Sequence, residues 1–286
     1  MSYYFTLIYP ENLTPCSVSN LLRHLLIPRK WRHFLRTEEK VTVNGSYRHF
    51  NELIYPGEKV ALELEHVESL QQQYPASGKM PEIIFEDENL LVINKPAGQK
   101  THPNLNETNT ALNDCTTYLG KSPFIVHRLD MLTSGLLLVA KNPAVVPILN
   151  RELTTKIFHR EYLTVVNHAD KLDQKGTIAL PIGRDPLDQR KRMITEDGLK
   201  AITNYTVLEK KADNTALLKV SLETGRTHQI RVHLSALGCP IVGDPLYSPD
   251  FKTSKFLHLT AYKMSFTQPF SFTTIKVKLP EEKIRI

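Results

Sequence analysis

Leu136-Leu137-Leu138-Val139-Ala140 is the segment that most narrows what this chain can become. Five apolar residues in succession, bounded in front by Thr133-Ser134-Gly135, read as a buried strand, because a face open to water would impose alternation. Such a strand needs a sizeable core around it, and 286 residues supply one, as a single large domain or as two. Just ahead of the turn stands His127-Arg128-Leu129-Asp130, which places a carboxylate at the mouth of the strand. An aspartate there either closes its own turn by hydrogen bonding or is held as a reactive group. Taken alone, the segment favours the first reading.

Two further segments change the balance. Arg160-Glu161-Tyr162-Leu163-Thr164-Val165-Val166 reads as a strand with Tyr162, Thr164 and Val166 on one face and Leu163 and Val165 on the other. An ordinary strand aromatic is the plain account of Tyr162 by itself. In the stretch from Thr224 to Gly238, Ile230, Leu234 and Leu237 recur at helical spacing and Gly238 suits the stop. Arg231 lies about 100° around that helix from Ile230. It flanks the apolar stripe and can reach a cleft beside the core, a rim arginine with a snorkelling stem being the alternative.

Residues 1–70 form a separable pattern. Ser17 suits the cap of a helix in which Val18, Leu21, Leu22 and Leu25 follow i, i+3, i+4, i+7, and Pro28 suits the start of a second helix. Val41-Thr42-Val43 followed by Asn44-Gly45 is a strand-and-turn signal, and Val60, Leu62 and Leu64 alternate as another strand. Seven Lys/Arg against two Glu between Arg23 and Arg48 make this stretch basic. Arg29, Lys30 and Arg32, interleaved with Trp31 and Phe34, are candidates for RNA phosphates, with the two aromatics expected in the core. Residues 71–81, with Gln71-Gln72-Gln73 and Pro75-Ala76-Ser77-Gly78, read as a polar linker. Residues 82–286 carry many short strands, near 83–86, 90–94, 136–140, 160–167, 202–209, 215–222 and 256–266, and helices near 143–156 and 227–237. That is the α+β class, built on a mostly antiparallel mixed sheet and preceded by a small α+β domain.

Taken together, the segments around Asp130, Tyr162 and Arg231 resemble the RluA-type pseudouridine synthases. Three shorter stretches strengthen the likeness: Leu91-Val92-Ile93-Asn94-Lys95-Pro96-Ala97-Gly98, Lys200-Ala201-Ile202-Thr203-Asn204-Tyr205, and Gly243-Asp244-Pro245-Leu246-Tyr247. The resemblance covers roughly residues 82 to 283. The N-terminal layout is similar to the small RNA-binding domain named after ribosomal small-subunit protein four, matching at the Val-Asn-Gly turn and at Pro56-Gly57-Glu58. The resemblance implies isomerisation of uridine to pseudouridine within structured RNA, without cofactor or metal. It implies Asp130 as the catalytic carboxylate, either adding covalently or acting in acid–base steps at C2′. Arg231 is then its cationic partner, Tyr162 the residue packed on the uracil, and Arg128 a contact to the flipped nucleotide or its phosphate.

Other chemistries fit less well. A serine hydrolase built on Ser134 and His127 lacks the first glycine of Gly-x-Ser-x-Gly, since Leu132 stands there. A zinc site from His228, His233 and Cys239 lacks a fourth ligand at metal spacing. A non-catalytic RNA-binding protein and a glycosylase releasing free base are the remaining alternatives. The net charge of +6 suits a polyanionic partner. Three dispersed cysteines suit a reduced, cytoplasmic setting, and no apolar run is long enough to span a membrane. The expectation is a cytoplasmic monomer acting on ribosomal RNA, the large subunit's before transfer RNA.

Overall fold

The computed structural model describes residues 2–69, 71–104, 107–249, 251 and 256–286. Near the N-terminus, strands Tyr3–Ile8, Lys59–Leu64, Val41–Val43 and Ser46–Tyr47 lie side by side in that order, each pair antiparallel. Asn44 and Gly45 turn the last pair with φ of 51° and 88°, the left-handed conformations that a two-residue hairpin of this sense requires. Helices α1 (Val18–His24) and α2 (Arg29–Thr37) cover this sheet with Val18, Leu21, Leu22, Trp31 and Leu35. The Ser17 hydroxyl accepts the Asn20 N–H at 3.2 Å and so starts α1. Phe34 stays partly exposed and stacks on His66 at 4.0 Å between ring centroids.

A ten-stranded sheet dominates the rest. Its main path runs Lys175–Ile178, Thr203–Lys210, Ala216–Leu222, His159–Val166, Leu259–Thr267, Ser134–Ala140, Leu90–Lys95, Ile83–Glu86. Every pairing is antiparallel except one: Ser134 and Gly135 run parallel to Thr260 and Ala261. At this seam Gly135 has φ +107°, and a Cβ there would lie 2.2 Å from the Ala261 carbonyl oxygen. No other residue fits so close an approach. Side chains leaving the sheet alternate between two cores. Leu136, Leu138 and Ala140 join a core that includes helix α4 (Val146–Thr154), while Leu137 and Val139 join one with helices α3 (Ala111–Leu119) and α5 (Gln229–Ala236). Both faces are covered, which is why this strand is apolar throughout.

Helix α3 has no counterpart in the sequence reading, for a physical reason. Its buried residues include Asn113, Asp114 and Thr116 beside Ala111, Leu112 and Cys115, so polar residues occupy the core-facing positions and blur the period. They are satisfied locally. Asn113 binds Thr110 in a capping box and donates to the Pro75 carbonyl at 2.8 Å, and Asp114 accepts from Ser77 and Gln99 at 2.6 and 2.7 Å. The residues expected as a polar linker supply several of these partners. Gln71 accepts the Ile125 N–H at 2.8 Å, Tyr74 donates its N–H to Ser122 at 2.6 Å, and Ser77 binds Thr117. Gln71, Tyr74, Pro75 and Ser77 thus tie the connection to the larger unit, while Gln72, Gln73 and Lys79 face water. The small sheet also rests on that unit, with Phe5 stacked on Phe270 at 3.6 Å and Tyr9 edge-on to Phe272 at 5.9 Å.

Candidate active site

Asp130 sits in the loop between strands Phe124–Ile125 and Ser134–Ala140, immediately before the parallel seam. Its turn is closed by backbone: the Thr133 N–H donates to the Asp130 carbonyl at 3.1 Å. Among the described residues its carboxylate accepts no hydrogen bond, so the turn-closing reading of that side chain does not hold. The loop is pinned on both sides of Asp130. The Thr101 hydroxyl accepts the Leu129 N–H at 3.1 Å and donates to the Leu129 carbonyl at 2.8 Å. Beyond Asp130, the Met131 carbonyl accepts the Gly98 N–H at 2.8 Å and faces the Lys95 ammonium at 3.3 Å.

Lys95 ends an apolar strand, yet it is completely buried. Its ammonium donates to the carbonyls of Gln99 and Pro96 at 2.7 and 2.9 Å as well as facing that of Met131. One side chain thereby ties the 96–99 loop to the Asp130 loop. Burial pulls its pKa down to about 7, against the pull of the Asp130 charge.

Among the described residues, the cation that comes within 4 Å of the Asp130 carboxylate is Arg231, on α5. Arg231, nearly fully buried, donates from Nε and Nη2 to the two oxygens of Asp244, both at 2.8 Å. Its Nη1 stands 3.9 Å from Asp130 Oδ2. The two-pronged contact anticipated between Arg231 and Asp130 therefore belongs to Asp244, and Asp130 receives the remaining edge of the guanidinium. A buried guanidinium needs a carboxylate whose geometry matches its fork, and Asp244, itself fully buried, provides it. His228, one residue before α5, brings Nε2 to 4.0 Å from the same oxygen, Oδ2. The tyrosine of Gly243-Asp244-Pro245-Leu246-Tyr247 meets both: its hydroxyl lies 2.8 Å from His228 Nδ1 and its ring 5.0 Å from the Arg231 guanidinium carbon.

Tyr162 is buried on strand His159–Val166, where the register with Leu259–Thr267 shifts between Glu161 and Tyr162. A bulge beside a site re-aims a side chain, here toward an inner pocket of about 70 Å³ that Asp130, Arg128 and Arg231 also line. Burial pushes the Tyr162 pKa up and the Asp130 charge adds to it, Arg160 opposing, so the phenol keeps its proton at neutral pH. The inner pocket adjoins an outer cleft of about 770 Å³ lined by Lys100, His102, Arg128, Asp130, Arg160 and Arg226. Arg128 is exposed there and pairs with no carboxylate among the described residues. The structure thus brings Asp130, Tyr162, Arg231 and Arg128 to one pocket.

Arg29, Lys30 and Arg32 lie elsewhere, on α2. Lys30 is exposed and 3.8 Å from Glu68. The Nε of Arg32 is enclosed without a partner, and its pKa is lowered by burial and by the charges of Arg23, Arg151 and Arg29. Arg151 belongs to α4, whose Leu153 and Thr154 edge the outer cleft. The charge of Arg151 thus reaches Arg32 from a helix that borders the cleft.

Residues of the competing chemistries are engaged otherwise. His127 Nε2 accepts the Leu138 N–H at 3.1 Å and its pKa is held down at about 3 by burial and Arg160, while the Ser134 hydroxyl binds Thr260 at 2.9 Å. His233 bonds Thr203 and the Leu180 carbonyl, and the Cys239 thiol faces the His168 carbonyl, so neither joins His228. Lys95, His228, Asp244 and Tyr247 were not singled out as site residues from sequence. For Asp244 a signal existed, since an arginine expected beside the core implies a carboxylate to hold it.

Residues 89–236 match the family described as RNA pseudouridylate synthase, and residues 5–60 match the RluD ribosomal pseudouridine synthase N-terminal domain. The chain is 39% identical, over 85% of its length and 83% of the relative's, to an uncharacterized RNA pseudouridine synthase of Bacillus subtilis. It is 38% identical to ribosomal large subunit pseudouridine synthase D of Nitrosomonas europaea, over 93% of this chain and 81% of that one. Among solved structures, human RNA pseudouridylate synthase domain containing 1 superposes with a TM-score of 0.61 at 26% identity, covering 72% of this chain and 86% of that one.

Proposed function

The chain belongs to the RNA pseudouridylate synthase family, and on that premise we propose that it converts uridine to pseudouridine in large-subunit ribosomal RNA, with Asp130 as the reacting carboxylate and no cofactor. One observation carries the assignment of Asp130. Its carboxylate is held at a cleft with no hydrogen bond from the described residues, 3.9 Å from Arg231 and 4.0 Å from His228. A pinned loop, a nearby cation and an uncommitted oxygen are what a group needs to attack or deprotonate a sugar.

The reaction breaks the N1–C1′ bond, turns the uracil and joins C5 to C1′; the C5 proton leaves and N1 gains one. Asp130 serves either by adding to C1′ or by taking part at C2′. Tyr162, protonated and buried beneath the pocket, packs against the ring as it turns. Arg231 stabilises the carboxylate. A uridine must leave its stack to reach this depth, and Arg128 at the pocket mouth is placed to meet the flipped nucleotide or its phosphate. Arg29, Lys30 and Arg32 bind RNA from α2. The relatives named for the ribosomal large subunit favour that RNA over transfer RNA. Among the described residues no helix is long and apolar enough to cross a membrane, in keeping with a cytoplasmic site of action.

The test is product analysis with Asp130→Asn. The amide keeps shape and removes charge and nucleophilicity, so pseudouridine formation on RNA from cells lacking the gene should vanish while RNA affinity stays. Near wild-type turnover by a folded variant would remove Asp130 from the reaction. Comparing the pseudouridine map of RNA from cells with and without the gene identifies the RNA and the uridine; release of free uracil would indicate a glycosylase.

A further inference from the structure

We propose that His228 is a positioning residue for Asp130: it presents an Nε2–H to Oδ2 of the carboxylate, in a tautomer set by Tyr247, and leaves Oδ1 free for the sugar. This rests on Asp130 being the reacting carboxylate.

The tautomer follows from the hydrogen bonds. The Tyr247 hydroxyl oxygen accepts the backbone N–H of Arg192 at 2.8 Å and lies 2.8 Å from His228 Nδ1. Burial is the main cause that raises the Tyr247 pKa, so the phenol keeps its proton. With the Arg192 N–H already directed at the oxygen, that proton is directed at Nδ1. A neutral imidazole then carries its hydrogen on Nε2, the nitrogen 4.0 Å from Asp130 Oδ2. Burial, more than any other influence, lowers the His228 pKa and favours the neutral ring, with Arg231 and Arg192 acting in the same sense and Asp130 and Asp244 against. Around Asp130 the further charged or titratable groups are Lys95, Arg128, Arg160, Arg226, Tyr162 and Tyr247.

The placement is built, not incidental. His228 adopts φ +59°, ψ 17°, a left-handed conformation unfavourable for a side chain of this size. Gln229 holds the loop in that shape by accepting from the Arg226 N–H at 2.9 Å and the Thr224 hydroxyl at 2.8 Å. Asp244 fixes both partners at once, accepting from Arg231 and from the Tyr247 N–H at 3.2 Å. Arg231 Nη1 and His228 Nε2 therefore converge on a single oxygen of Asp130. Catalytic contacts of this length in a free enzyme often tighten to hydrogen bonds once substrate is bound.

The experiment compares His228→Gln, His228→Asn, Tyr247→Phe, the pair His228→Asn with Tyr247→Phe, and Asp130→Asn in the full chain. Single-turnover pseudouridine formation is measured on total RNA from cells lacking the gene, together with RNA affinity and thermal melting. Glutamine carries an amide nitrogen to about the reach of Nε2, whereas asparagine reaches Tyr247 but not Asp130. His228→Asn should lose about 10- to 100-fold in rate, the size of one hydrogen bond to a charged group, with affinity and melting unchanged. His228→Gln should recover most of that loss. Tyr247→Phe should also be slow, and adding His228→Asn to it should cost little more. A purely structural role gives the opposite order, because asparagine tolerates the left-handed backbone better than glutamine. Wild-type rates for His228→Asn or Tyr247→Phe, or a glutamine variant no faster than the asparagine one, overturn the proposal. Turnover by Asp130→Asn would instead overturn the assignment of the carboxylate, a distinct result.

Discussion

Arg231 serves two carboxylates with one guanidinium, and the division explains why lysine cannot replace it. Asp244 holds Nε and Nη2 while Nη1 is left to Asp130. A point-charge ammonium would be drawn to the fully buried Asp244, leaving Asp130 without its cation. Arg231→Lys should therefore lower single-turnover rate at least about tenfold with RNA affinity intact, and lower stability by about 2 kcal/mol as the buried fork is broken. Calorimetry alongside the kinetics checks both, and an unchanged rate would mean that Nη1 does nothing for Asp130. At this scale the sequence was legible where chemistry repeats in order: Asp130, Tyr162 and Arg231 do line one pocket. It was opaque where a residue type has a commoner use. An aspartate after glycine and before proline looks like a turn, and a lysine ending a strand looks like a solvated tip. Asp244 and Lys95 are instead buried, one under Arg231 and the other clasping two loops, and only tertiary contacts reveal it.

Helices and strands follow the same division. The seven strands anticipated between residues 83 and 266 appear within a few residues of their expected places, because each carries an apolar run or alternation. Short strands Lys175–Ile178, Ile182–Arg184, Arg192–Ile194 and Thr274–Lys278 carry too few apolar positions to show a period, and they form through pairing with neighbours. Helix α4 was expected from its periodicity, yet it hides a buried acid. Glu152 accepts the Thr267 N–H at 2.9 Å and so ties α4 to the strand Leu259–Thr267. Burial raises its pKa from 4.5 to about 7, the Thr267 N–H opposing. Its folded-state pKa lies above the unfolded value. The stability it contributes is thus full below pH about 4.5 and lost as pH rises through about 7. Glu152→Gln keeps an oxygen for Thr267 and removes that loss. The variant should melt a few degrees above wild type at pH 8, on the order of 2 kcal/mol, and close to it at pH 4.5. Equal melting of the two proteins at pH 8 would show that the carboxylate ionises there without penalty.

Across the whole molecule, the small N-terminal sheet and the large sheet are joined by an ordered strap and by aromatic packing on Phe270 and Phe272. A truncated chain should therefore begin near residue 71, keeping the strap that caps α3. Such a protein should fold and retain chemistry, be less soluble with Phe270 and Phe272 uncovered, and bind RNA more weakly. Loss of the arginines on α1 and α2 should flatten the dependence of affinity on salt, by about 0.9 in log–log slope per duplex phosphate contact or about 0.7 per single-stranded one. Fluorescence anisotropy over a salt series measures this, and an unchanged slope would place those arginines away from RNA. The parallel seam bears on a different matter, the order in which the polypeptide is made. Leu259–Thr267 lies between the strand that carries Tyr162 and the strand that follows Asp130, and it pairs with both. A nascent chain halted before Leu259 would hold Asp130, Tyr162, Arg231 and Asp244 without the strip of backbone that brings them together. Joining residues so distant in sequence is slow. The residues that line the pocket can therefore meet only once Leu259–Thr267 has joined the sheet.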